Sequence, residues 1–281
     1  MCNDLILNPE ILRKVNSATK YPSILTYHNL GNKGNVIEGL TEGRSFPDDS
    51  LLYVTEKIDG TNSRAVMFTD DKGQVIDYLI GSREDILFAM NDRIINPSQG
   101  IVDQMKPCVE KIIQNICNCF GFHEHLPYDS IICLYGETYG GKINGAKQYT
   151  GHGNSGIRFF DYWTMDMDEF RKLLELPLEK ISSWREHGGQ PFSSVSELKG
   201  FCMNAKLETV PYIYTTVVDL FPTDLQTVWN WLQDFSRTRA SLDDDGKNHS
   251  EGVVVRTEDR SMIRKIRFED YEKAKRMGLI C

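Results

Sequence analysis

A lysine beside an Asp-Gly turn is the first residue in this sequence that could do chemistry. Lys57 lies in residues 55–62, TEKIDGTN, between the runs LLYVT and SRAVMF, which are rich in apolar and β-branched residues. Asp59 and Gly60 between two such runs predict a β-hairpin. A turn accounts for Asp59 and Gly60 but not for Lys57. Its amine is either a nucleophile or an ordinary surface charge.

A second charged group lies near the C-terminal end of the chain. Residues 262–268, MIRKIRF, are typical of a strand with Lys265 and Arg267 on one face and an apolar opposite face. Two cations side by side need an anionic partner, unless the strand is a solvated edge. Glu251 opens the preceding stretch, EGVVVR, and taken alone it is most simply a surface carboxylate.

Six short motifs follow one another in an order that is informative as a set. They are the lysine before its Asp-Gly turn, GSRED at 81–85, YGETYGG at 135–141, RFFDYW at 158–163, EGVVVR at 251–256 and KIR at 265–267. In this order, over residues 56–271, they resemble the covalent nucleotidyltransferase superfamily of ATP-dependent DNA ligases, RNA ligases and mRNA capping enzymes. Any one of these motifs alone is weak, because KxDG occurs by chance in many proteins.

The resemblance is closest to the RNA ligase 2 group. That group favours K-x-x-G-x-N, which Lys57, Gly60 and Asn62 fit, whereas capping enzymes usually have arginine in place of Asn62. Residues 20–29, KYPSILTYHN, and 210–214, VPYIY, also look like segments of RNA ligases. The resemblance implies three steps: adenylation of Lys57 by ATP, transfer of AMP to an RNA 5′-phosphate, and sealing by a 3′-hydroxyl.

The implied first step explains why cations are needed beside the lysine. An amine attacks phosphorus only when deprotonated, yet the reference pKa of lysine is about 10.4. Nearby cations lower that pKa and stabilise charge on the phosphate. Lys265, Arg267 and a bound Mg²⁺ or Mn²⁺ would do both. Since Mg²⁺ prefers oxygen ligands, Glu251 is the best candidate to hold the ion.

The resemblance also implies roles for the nucleotide-binding residues. Glu137 would bind the ribose hydroxyls and Phe160 would stack on adenine. Arg83 would contact the ribose or the 5′-phosphate of the substrate. Asn62 would help in the steps after lysine adenylation, and Glu56 would sit beside the base, mainly through its backbone.

Taken alone, two of these residues have ordinary structural explanations, whereas a third still indicates a ligand site. Phe160 could be ordinary core, and Arg83 could form a surface ion pair with its acidic neighbours, which contributes little to stability. Glu137 differs, because glycines on both sides of it indicate close approach of the backbone to a ligand.

The elements that must position these residues are mostly short strands. Candidate strands, rich in Val, Ile, Tyr or Phe, cover residues 51–56, 63–68, 75–80, 130–135, 157–163, 212–218, 252–256 and 262–268. Helical periodicity appears in residues 109–120 and 225–232, the second opened by Thr223 and Gln226 in capping-box spacing, and again in 270–277 before Gly278. We therefore predict an α+β fold with antiparallel sheets flanked by helices, and the resemblance implies an ATP-grasp-like ligase adenylation domain.

Two clusters of potential metal ligands call for interpretation. The loop 241–250, SLDDDGKNHS, carries three adjacent carboxylates, which we interpret as a solvated loop because consecutive carboxylates rarely converge on one ion. A C-x-C-x₃-H-x-H spacing is not a standard zinc pattern, so a helix C-terminus is the favoured interpretation of the second cluster. That cluster consists of Cys117, Cys119, His123 and His125.

Composition restricts the class of protein. The 281 residues carry a net charge of −8, which argues against loose electrostatic binding of nucleic acid without excluding a local basic groove. No apolar run approaches the ~20 residues that span a bilayer, so we expect no membrane association. The seven cysteines include no CxxC pair, which predicts reduced thiols and a cytoplasmic location.

The chain departs from the superfamily in its length after the last motif. Only 13 residues follow Phe268, so residues 1–281 are expected to form a single adenylation domain without a separate C-terminal oligonucleotide-binding or helical domain. An accessory protein could then supply RNA binding. We predict an ATP-dependent RNA ligase. The alternatives are a DNA ligase, an mRNA guanylyltransferase, or a degenerate ligase that only binds nucleic acid or a partner.

Overall fold

Seven α-helices and twelve strands make up the part of the chain that the computed structural model describes, residues 8–117 and 126–281. The helices are α1 (Pro9–Ala18), α2 (Ile101–Ile112), α3 (Met167–Glu175), α4 (Leu178–Glu186), α5 (Val195–Asn204), α6 (Leu225–Leu232) and α7 (Phe268–Arg276). The strands are β1 (His28–Leu30), β2 (Val36–Leu40), β3 (Leu51–Lys57), β4 (Thr61–Thr69), β5 (Val75–Ser82), β6 (Ile86–Ala89), β7 (Ile94–Ile95), β8 (Ser130–Gly140), β9 (Ser155–Asp166), β10 (Tyr212–Val217), β11 (Gly252–Thr257) and β12 (Ile263–Arg267). Helices combined with antiparallel strand pairs confirm the predicted fold class.

The chain divides into two units, each assembled from separate segments. The first unit comprises the described residues of Met1–Ser23, Thr61–Thr138 and Ser155–Thr209, and the second unit comprises Ile24–Gly60, Tyr139–Asn154 and Val210–Cys281. Each predicted site residue therefore belongs to one of two frameworks, which are described in turn.

A six-stranded sheet is the framework of the first unit, with the strand order β7-β6-β5-β4-β8-β9. Strand β4 has antiparallel neighbours on both sides, β5 and β8, and its last seven residues are all buried. Helices α2 and α5 share a core with this sheet, formed by side chains that include Ala65, Met67, Ile80, Met105, Val109, Ile132, Leu134 and Leu198. Burial on both sides makes β4 and β8 a firm support for the residues at their ends.

A four-stranded antiparallel sheet is the framework of the second unit, with the strand order β10-β3-β11-β12. Its apolar face packs with α6 and α7 in a core that includes Leu52, Val54, Leu225, Val228, Val253, Val255, Ile266 and Tyr271. A ribbon of β1 and β2 contributes Val36 to the same core. Because side chains alternate along a strand, the opposite face of the sheet carries the polar residues.

The hairpin predicted at Asp59 and Gly60 is wrong. Strand β3 ends at Lys57 and β4 begins at Thr61, but the two strands belong to different sheets. Strand β3 pairs instead with β10 and β11, which follow much later in the chain. Turn propensity is a local and weak preference, whereas two complete strand pairings and a buried apolar face decide the partners of β3.

The predicted start of helix α6 is also wrong. Its N-cap is Asp224, whose carboxylate accepts a hydrogen bond from the Thr227 amide at 2.9 Å, so Thr223 and Gln226 form no capping box. Aspartate is among the strongest N-cap residues, and it shifts the start by one position. The predicted end of α7 is confirmed, because Gly278 after the helix has a φ of +74°.

The first predicted helix is displaced along the chain. Helix α2 begins at Ile101 and continues into a π-helical turn, Ile113–Cys117, so the pattern in 109–120 marks its C-terminal part. Phe120 lies outside the described residues, as do Cys119, His123 and His125 of the cysteine–histidine cluster.

The acidic loop 241–250 is tied down by its own carboxylates. Asp243 accepts hydrogen bonds from the Thr150 hydroxyl and from the Gly151 amide, the latter at 2.8 Å, and these bonds hold the pKa of Asp243 well below its usual range. His152 Nε2 lies 2.6 Å from Asp245 Oδ2. One ligand atom from each of His152, Asp243 and Asp245 lies within 4.8 Å of the others, but the hydrogen bonds already account for an ionised Asp243. The loop is thus anchored to residues 150–152 and is not merely solvated.

Two further expectations concern cysteines and membranes. Four cysteines in the described residues are free thiols, and Cys108, Cys133 and Cys202 among them are buried. Within the same residues, no helix has both the length and the apolar character that crossing a bilayer requires.

Candidate active site

Lys57 lies at the end of β3 on the face opposite to the core. Leu52 and Val54 are wholly buried, whereas the side chain of Lys57, out of phase with them, is 24% exposed. The turn that follows is anchored, because the Asp59 amide donates a hydrogen bond to the hydroxyl of the buried Tyr149 at 2.6 Å. The backbone on both sides of Lys57 is therefore held in place.

One row of residues across three strands brings two of the predicted cations to the same face. The register pairs Lys57 with Gly252 and Gly252 with Arg267, and the neighbouring row on that face carries Lys265. Gly252 has a φ of +150°, and a Cβ at this position would lie 2.1 Å from the carbonyl oxygen of Ile266. Only glycine fits there, so no side chain stands between Lys57 and Arg267.

Lys57 and Glu251 are in direct contact. The Nζ atom of Lys57 donates a hydrogen bond to Oε2 of Glu251 at 2.5 Å. Burial raises the pKa of Glu251, and the charge of Lys57 opposes that rise. Sequence reasoning named only cations and a metal ion as neighbours of the Lys57 amine. The neighbour in this structure is a carboxylate.

Lys265 has its backbone fixed on both sides. Its amide donates to the Leu25 carbonyl and its carbonyl accepts from the Tyr27 amide, both at 3.0 Å. Part of the segment 20–29 thus pairs with β12. Burial lowers the pKa of Lys265, and the charges of Arg267 and Lys57 lower it further. Among the described residues, no carboxylate lies within ion-pair distance of its ammonium group.

Arg267 closes β12 and precedes α7. Its Nε and one terminal nitrogen donate to the two carboxylate oxygens of Asp270, at 2.9 and 2.7 Å. The Asp270 side chain is 1% exposed and that of Arg267 is 27% exposed. The predicted cation is therefore half of a two-point ion pair, a feature that sequence reasoning did not anticipate.

Glu56 faces away from this group. Its carboxylate is 2% exposed and accepts hydrogen bonds from the Thr238 hydroxyl and from the Arg239 amide, the latter at 2.7 Å. The side chain therefore anchors residues 238–239. The Glu56 amide donates to the Pro211 carbonyl at 2.9 Å, and the role of this residue beside a base stays a prediction.

In the first unit, Asn62 and Glu137 are paired directly across β4 and β8. Side chains of directly opposed residues on adjacent strands lie on the same face of a sheet. The Oδ1 atom of Asn62 is buried and has no hydrogen-bond partner among the described residues. An unpaired buried acceptor costs free energy. Asn62 is thus suited to accept a hydrogen bond from a ligand or a water molecule.

Phe160 lies on β9 with its ring held in one orientation. It packs edge-to-face against Tyr21, with ring centroids 5.1 Å apart and an interplanar angle of 80°. The Tyr21 hydroxyl donates to the buried carboxylate of Asp161 at 2.9 Å. The neighbouring Phe159 is 1% exposed, whereas Phe160 is only partly buried. Because side chains alternate along β9, Phe159 lies in the core and Phe160 lies on the other face, where it is partly exposed.

Arg83 lies in the exposed turn after β5. Its guanidinium donates to the Ser23 hydroxyl at 2.9 Å and is 3.9 Å from Glu84, which pairs more closely with Lys20 at 2.7 Å. Arg64 is completely buried and donates to the Arg83 carbonyl at 3.4 Å. Burial lowers the pKa of Arg64 to about 10. The ion pair between Arg83 and Glu84 is thus weak, and the Arg83 carbonyl accepts a hydrogen bond from the buried guanidinium of Arg64.

The glycine before Glu137 serves packing. A Cβ on Gly136 would lie 3.0 Å from the Ile157 side chain and 3.1 Å from the Arg158 carbonyl oxygen. Gly136 thus allows β9 to lie close to β8. This contact explains Gly136 without the ligand approach that the sequence suggested.

The comparison with protein families supplies the identification. Residues 51–275 match the family described as RNA ligase. The chain belongs to the RNA ligase family. A comparison with curated protein sequences finds no significant match.

Solved structures of another RNA ligase have the same fold. A mutant of the Naegleria gruberi RNA ligase with ATP and Mn has a TM-score of 0.52 and 14% identity, and the match covers 92% of this chain and 63% of that chain. The Naegleria enzyme with PPi has a TM-score of 0.52 and 15% identity, over 92% and 59% of the two chains. This chain therefore spans about three fifths of the length of those RNA ligases.

All the predicted site residues lie within the part that matches the RNA ligase family. The second unit places Lys57, Lys265 and Arg267 on one face of its sheet and Glu56 on the other face. Glu251 lies just before β11 and is in contact with Lys57. The first unit pairs Asn62 with Glu137 and places Phe160 and Arg83 elsewhere in its framework.

Sequence reasoning missed several residues that hold the candidate site residues in place. They are Tyr21, Arg64, Tyr149 and Asp270. Only Asp270 carried a usable signal, because a carboxylate three residues after Arg267 at a helix start is within reach. The other three act through contacts with residues distant in the sequence.

Proposed function

We propose that this chain is an ATP-dependent RNA ligase that works through AMP bound covalently to Lys57. The observation that carries the proposal is the grouping of Lys57, Lys265 and Arg267 on one sheet face, with Glu251 in contact with Lys57, in a chain of the RNA ligase family. A nucleophilic amine, two further cations and a partly buried carboxylate are the groups that nucleotidyl transfer to lysine needs.

In the first step the amine of Lys57 attacks the α-phosphorus of ATP. A nitrogen–phosphorus bond forms, the bond to the β-phosphate oxygen breaks, pyrophosphate leaves, and the amine loses a proton. Lys265 and Arg267 hold phosphate oxygens and stabilise the charge that grows there. An ammonium group has no lone pair, so Lys57 must leave its contact with Glu251 and present a neutral amine before it reacts.

The acidic residues near Lys57 suit a divalent cation. Glu251 supplies carboxylate oxygens, which Mg²⁺ and Mn²⁺ prefer, and its pKa is raised by burial and further by the charge of Asp59. A cation bound by Glu251 would relieve that repulsion and take the place of the Lys57 ammonium. When bound, the ion would neutralise phosphate charge.

The remaining predicted residues serve the nucleotide and the RNA. Phe160 stacks on adenine, Glu137 binds the ribose and the backbone of Glu56 meets the base. An oxygen of the RNA 5′-phosphate then attacks the AMP phosphorus and frees the lysine. Finally a 3′-hydroxyl attacks the activated 5′-phosphate and releases AMP. Arg83 is available to the 5′-phosphate because its side chain is 56% exposed, and Asn62 orients groups in these later steps.

Three wider proposals accompany this function. The two units belong to one adenylation domain, because the chain passes from one to the other five times and neither is a continuous segment. The cysteine usage supports a cytoplasmic location. An accessory protein supplies part of the RNA binding, because a net charge of −8 gives this chain little attraction for the phosphate backbone.

Incubation with ATP and Mg²⁺ tests the proposal directly. Intact mass analysis should show one AMP added to the wild-type chain and none added to the Lys57→Ala variant. Lys72→Ala removes an exposed lysine from the turn between β4 and β5 and should leave the adduct unchanged.

The outcomes separate the candidate functions. An adduct of undiminished yield in Lys57→Ala would contradict the assignment of the nucleophile. A GMP adduct in preference to AMP would indicate a guanylyltransferase, and sealing of nicked DNA in preference to RNA would indicate a DNA ligase. No adduct with either nucleotide would indicate a degenerate ligase.

A further inference from the structure

The ion pair between Arg267 and Asp270 is bidentate, and it involves one of the cations assigned to the phosphate in the proposed reaction. Both oxygens of Asp270 accept hydrogen bonds from the same edge of the guanidinium, at 2.9 and 2.7 Å. A two-point contact between a planar guanidinium and a carboxylate fixes orientation as well as distance. Arg267 is therefore held at one angle, unlike Lys265, which has no ion-pair partner among the described residues.

The carboxylate that holds Arg267 is itself immobile. Asp270 lies in the first turn of α7 with its side chain 1% exposed. The next residue, Tyr271, is also 1% exposed and stacks on Trp229 at an interplanar angle of 10°. Because α7 is packed in the core, Asp270 cannot follow Arg267 if the arginine moves.

The other edge of the guanidinium remains available. A guanidinium has five N–H donors, and Asp270 takes one from Nε and one from a terminal nitrogen. The second terminal nitrogen and the remaining hydrogen of the first can still meet two oxygens of a phosphate. The side chain of Arg267 is 27% exposed. Gly252 lies between Lys57 and Arg267 in the row across the three strands, so no side chain separates the two cations.

We propose that Asp270 is a positioning residue for nucleotidyl transfer, which sets the free edge of Arg267 against the phosphate oxygens of ATP. This inference rests on the proposed function. The ion pair also cancels much of the charge of Arg267, so Arg267 acts mainly as an oriented donor, and Lys265 supplies the uncompensated positive charge.

A purely structural role for Asp270 is the competing explanation. A carboxylate in the first turn of a helix is favourable because of the helix dipole. Glu269 occupies the same turn, with its side chain 59% exposed and paired with Lys273 at 2.5 Å. Glu269→Gln thus removes a charge of the same sign from the same turn without touching Arg267, and it is the matched control.

A double-mutant cycle separates the two explanations. The variants are Asp270→Asn, Arg267→Lys and their combination, because lysine cannot make the two-point contact. The first measurement is the single-turnover rate of lysyl-AMP formation at saturating ATP. The second is the calorimetric affinity for inorganic pyrophosphate, which requires no reaction. Thermal unfolding checks that each variant is folded.

Asp270→Asn should slow adenylation by about 10-fold or more, because misorientation of a phosphate contact is costly. In the Arg267→Lys background the same change should alter the rate by less than about 2-fold. Pyrophosphate affinity should follow the same pattern, and Glu269→Gln should match the wild type. If Asp270→Asn does not fold, Asp270→Glu, which keeps the charge but displaces it by one methylene, takes its place in the cycle.

Equal effects of the Asp270 substitution in both backgrounds, or no effect in a folded protein, would overturn the inference. Absence of any adduct in the wild-type protein would instead contradict the proposed function. The pyrophosphate measurement would then still decide whether Asp270 orients Arg267 toward phosphate, and wild-type protein that does not bind pyrophosphate would overturn the inference as well.

Discussion

At the scale of single residues, the site combines three cations with two carboxylates. Lys57 pairs with Glu251 and Arg267 pairs with Asp270. Lys265 lies beside both pairs and, in the part of the chain that the structure describes, it has no ion-pair partner. Its lowered pKa reflects burial first and then the neighbouring cations. Lys265 therefore gains most from the arrival of an anionic phosphate.

We predict that Lys265→Ala loses adenylation itself, with the rate falling roughly 10²–10³-fold, because the substitution removes a charged contact to the attacked phosphate. Asn62→Ala should still form the lysyl-AMP adduct, since an uncharged amide only orients its ligand. Asn62→Ala should, however, seal pre-adenylated RNA slowly. Quantification of adduct and of ligated product by denaturing gels measures the two steps separately.

Lys142→Ala, at a lysine outside the predicted site, serves as the control for both steps. Sealing of pre-adenylated RNA by Asn62→Ala at the wild-type rate would remove the main support for the RNA ligase 2 interpretation of TEKIDGTN. The broader assignment to the nucleotidyltransferase superfamily would not depend on that result.

At the scale of elements, a buried histidine ties β1 to α7. His28 is 1% exposed, with Nε2 at 3.0 Å from the Thr223 carbonyl oxygen and Nδ1 at 2.6 Å from the Tyr271 hydroxyl. Because a carbonyl only accepts, Nε2 carries the proton and Nδ1 accepts from Tyr271. A second proton on His28 would reverse this bond, with Nδ1 donating to the Tyr271 oxygen, and it would place a charge in a buried site. Burial therefore favours a neutral His28 beside the helix that begins just after Arg267.

This arrangement predicts that acid destabilises the fold. Burial lowers the pKa of His28 below its ordinary value of 6.5. As the pH falls past 6.5, the unfolded chain therefore binds more protons than the folded chain does. The free energy of unfolding should therefore decrease as the pH is lowered from about 7.5 to 5.5. Urea unfolding followed by tryptophan fluorescence at several pH values measures the slope.

His28→Gln removes this titration and should flatten the dependence of the free energy of unfolding on pH between about 7.5 and 5.5. The same substitution lowers stability at neutral pH. His187→Gln, at an exposed histidine, should retain the wild-type slope. A slope that is identical in wild type and His28→Gln would show that other groups dominate the acid sensitivity.

At the scale of the whole molecule, net charge limits how the chain holds RNA. The net charge is −8, and the cations of the site are few and mostly paired. The phosphate backbone usually dominates affinity for nucleic acid, and it requires a basic surface. The chain can therefore carry out the proposed chemistry without a large basic surface for RNA.

We predict weak RNA binding with a shallow dependence on salt. Each neutralised phosphate of a single strand contributes about −0.7 to the slope of log affinity against log salt, so a few contacts give a slope of only a few units. Fluorescence anisotropy of a 5′-phosphorylated RNA at several KCl concentrations measures both quantities. Tight binding with a steep slope would reveal a basic surface that the net charge conceals, and it would argue against the need for an accessory protein.

The sequence by itself determined the fold class and named the residues that we propose carry the chemistry. Lys57, Glu251, Lys265 and Arg267 stand in motifs whose order is informative without coordinates. The alternation along β12 also predicted correctly that Lys265 and Arg267 share one face, because that period is a local property of a strand. Helix α7 ends at Gly278 as predicted for the same local reason.

Only the tertiary structure decided how these residues meet. The Asp-Gly pair predicted a hairpin, but β3 pairs with β10 and β11, because strand partners are chosen by burial and hydrogen bonding over the whole chain. That pairing creates the row from Lys57 through Gly252 to Arg267. It also brings Tyr149 against the turn after Lys57. Such contacts join segments distant along the chain, and no local pattern records them.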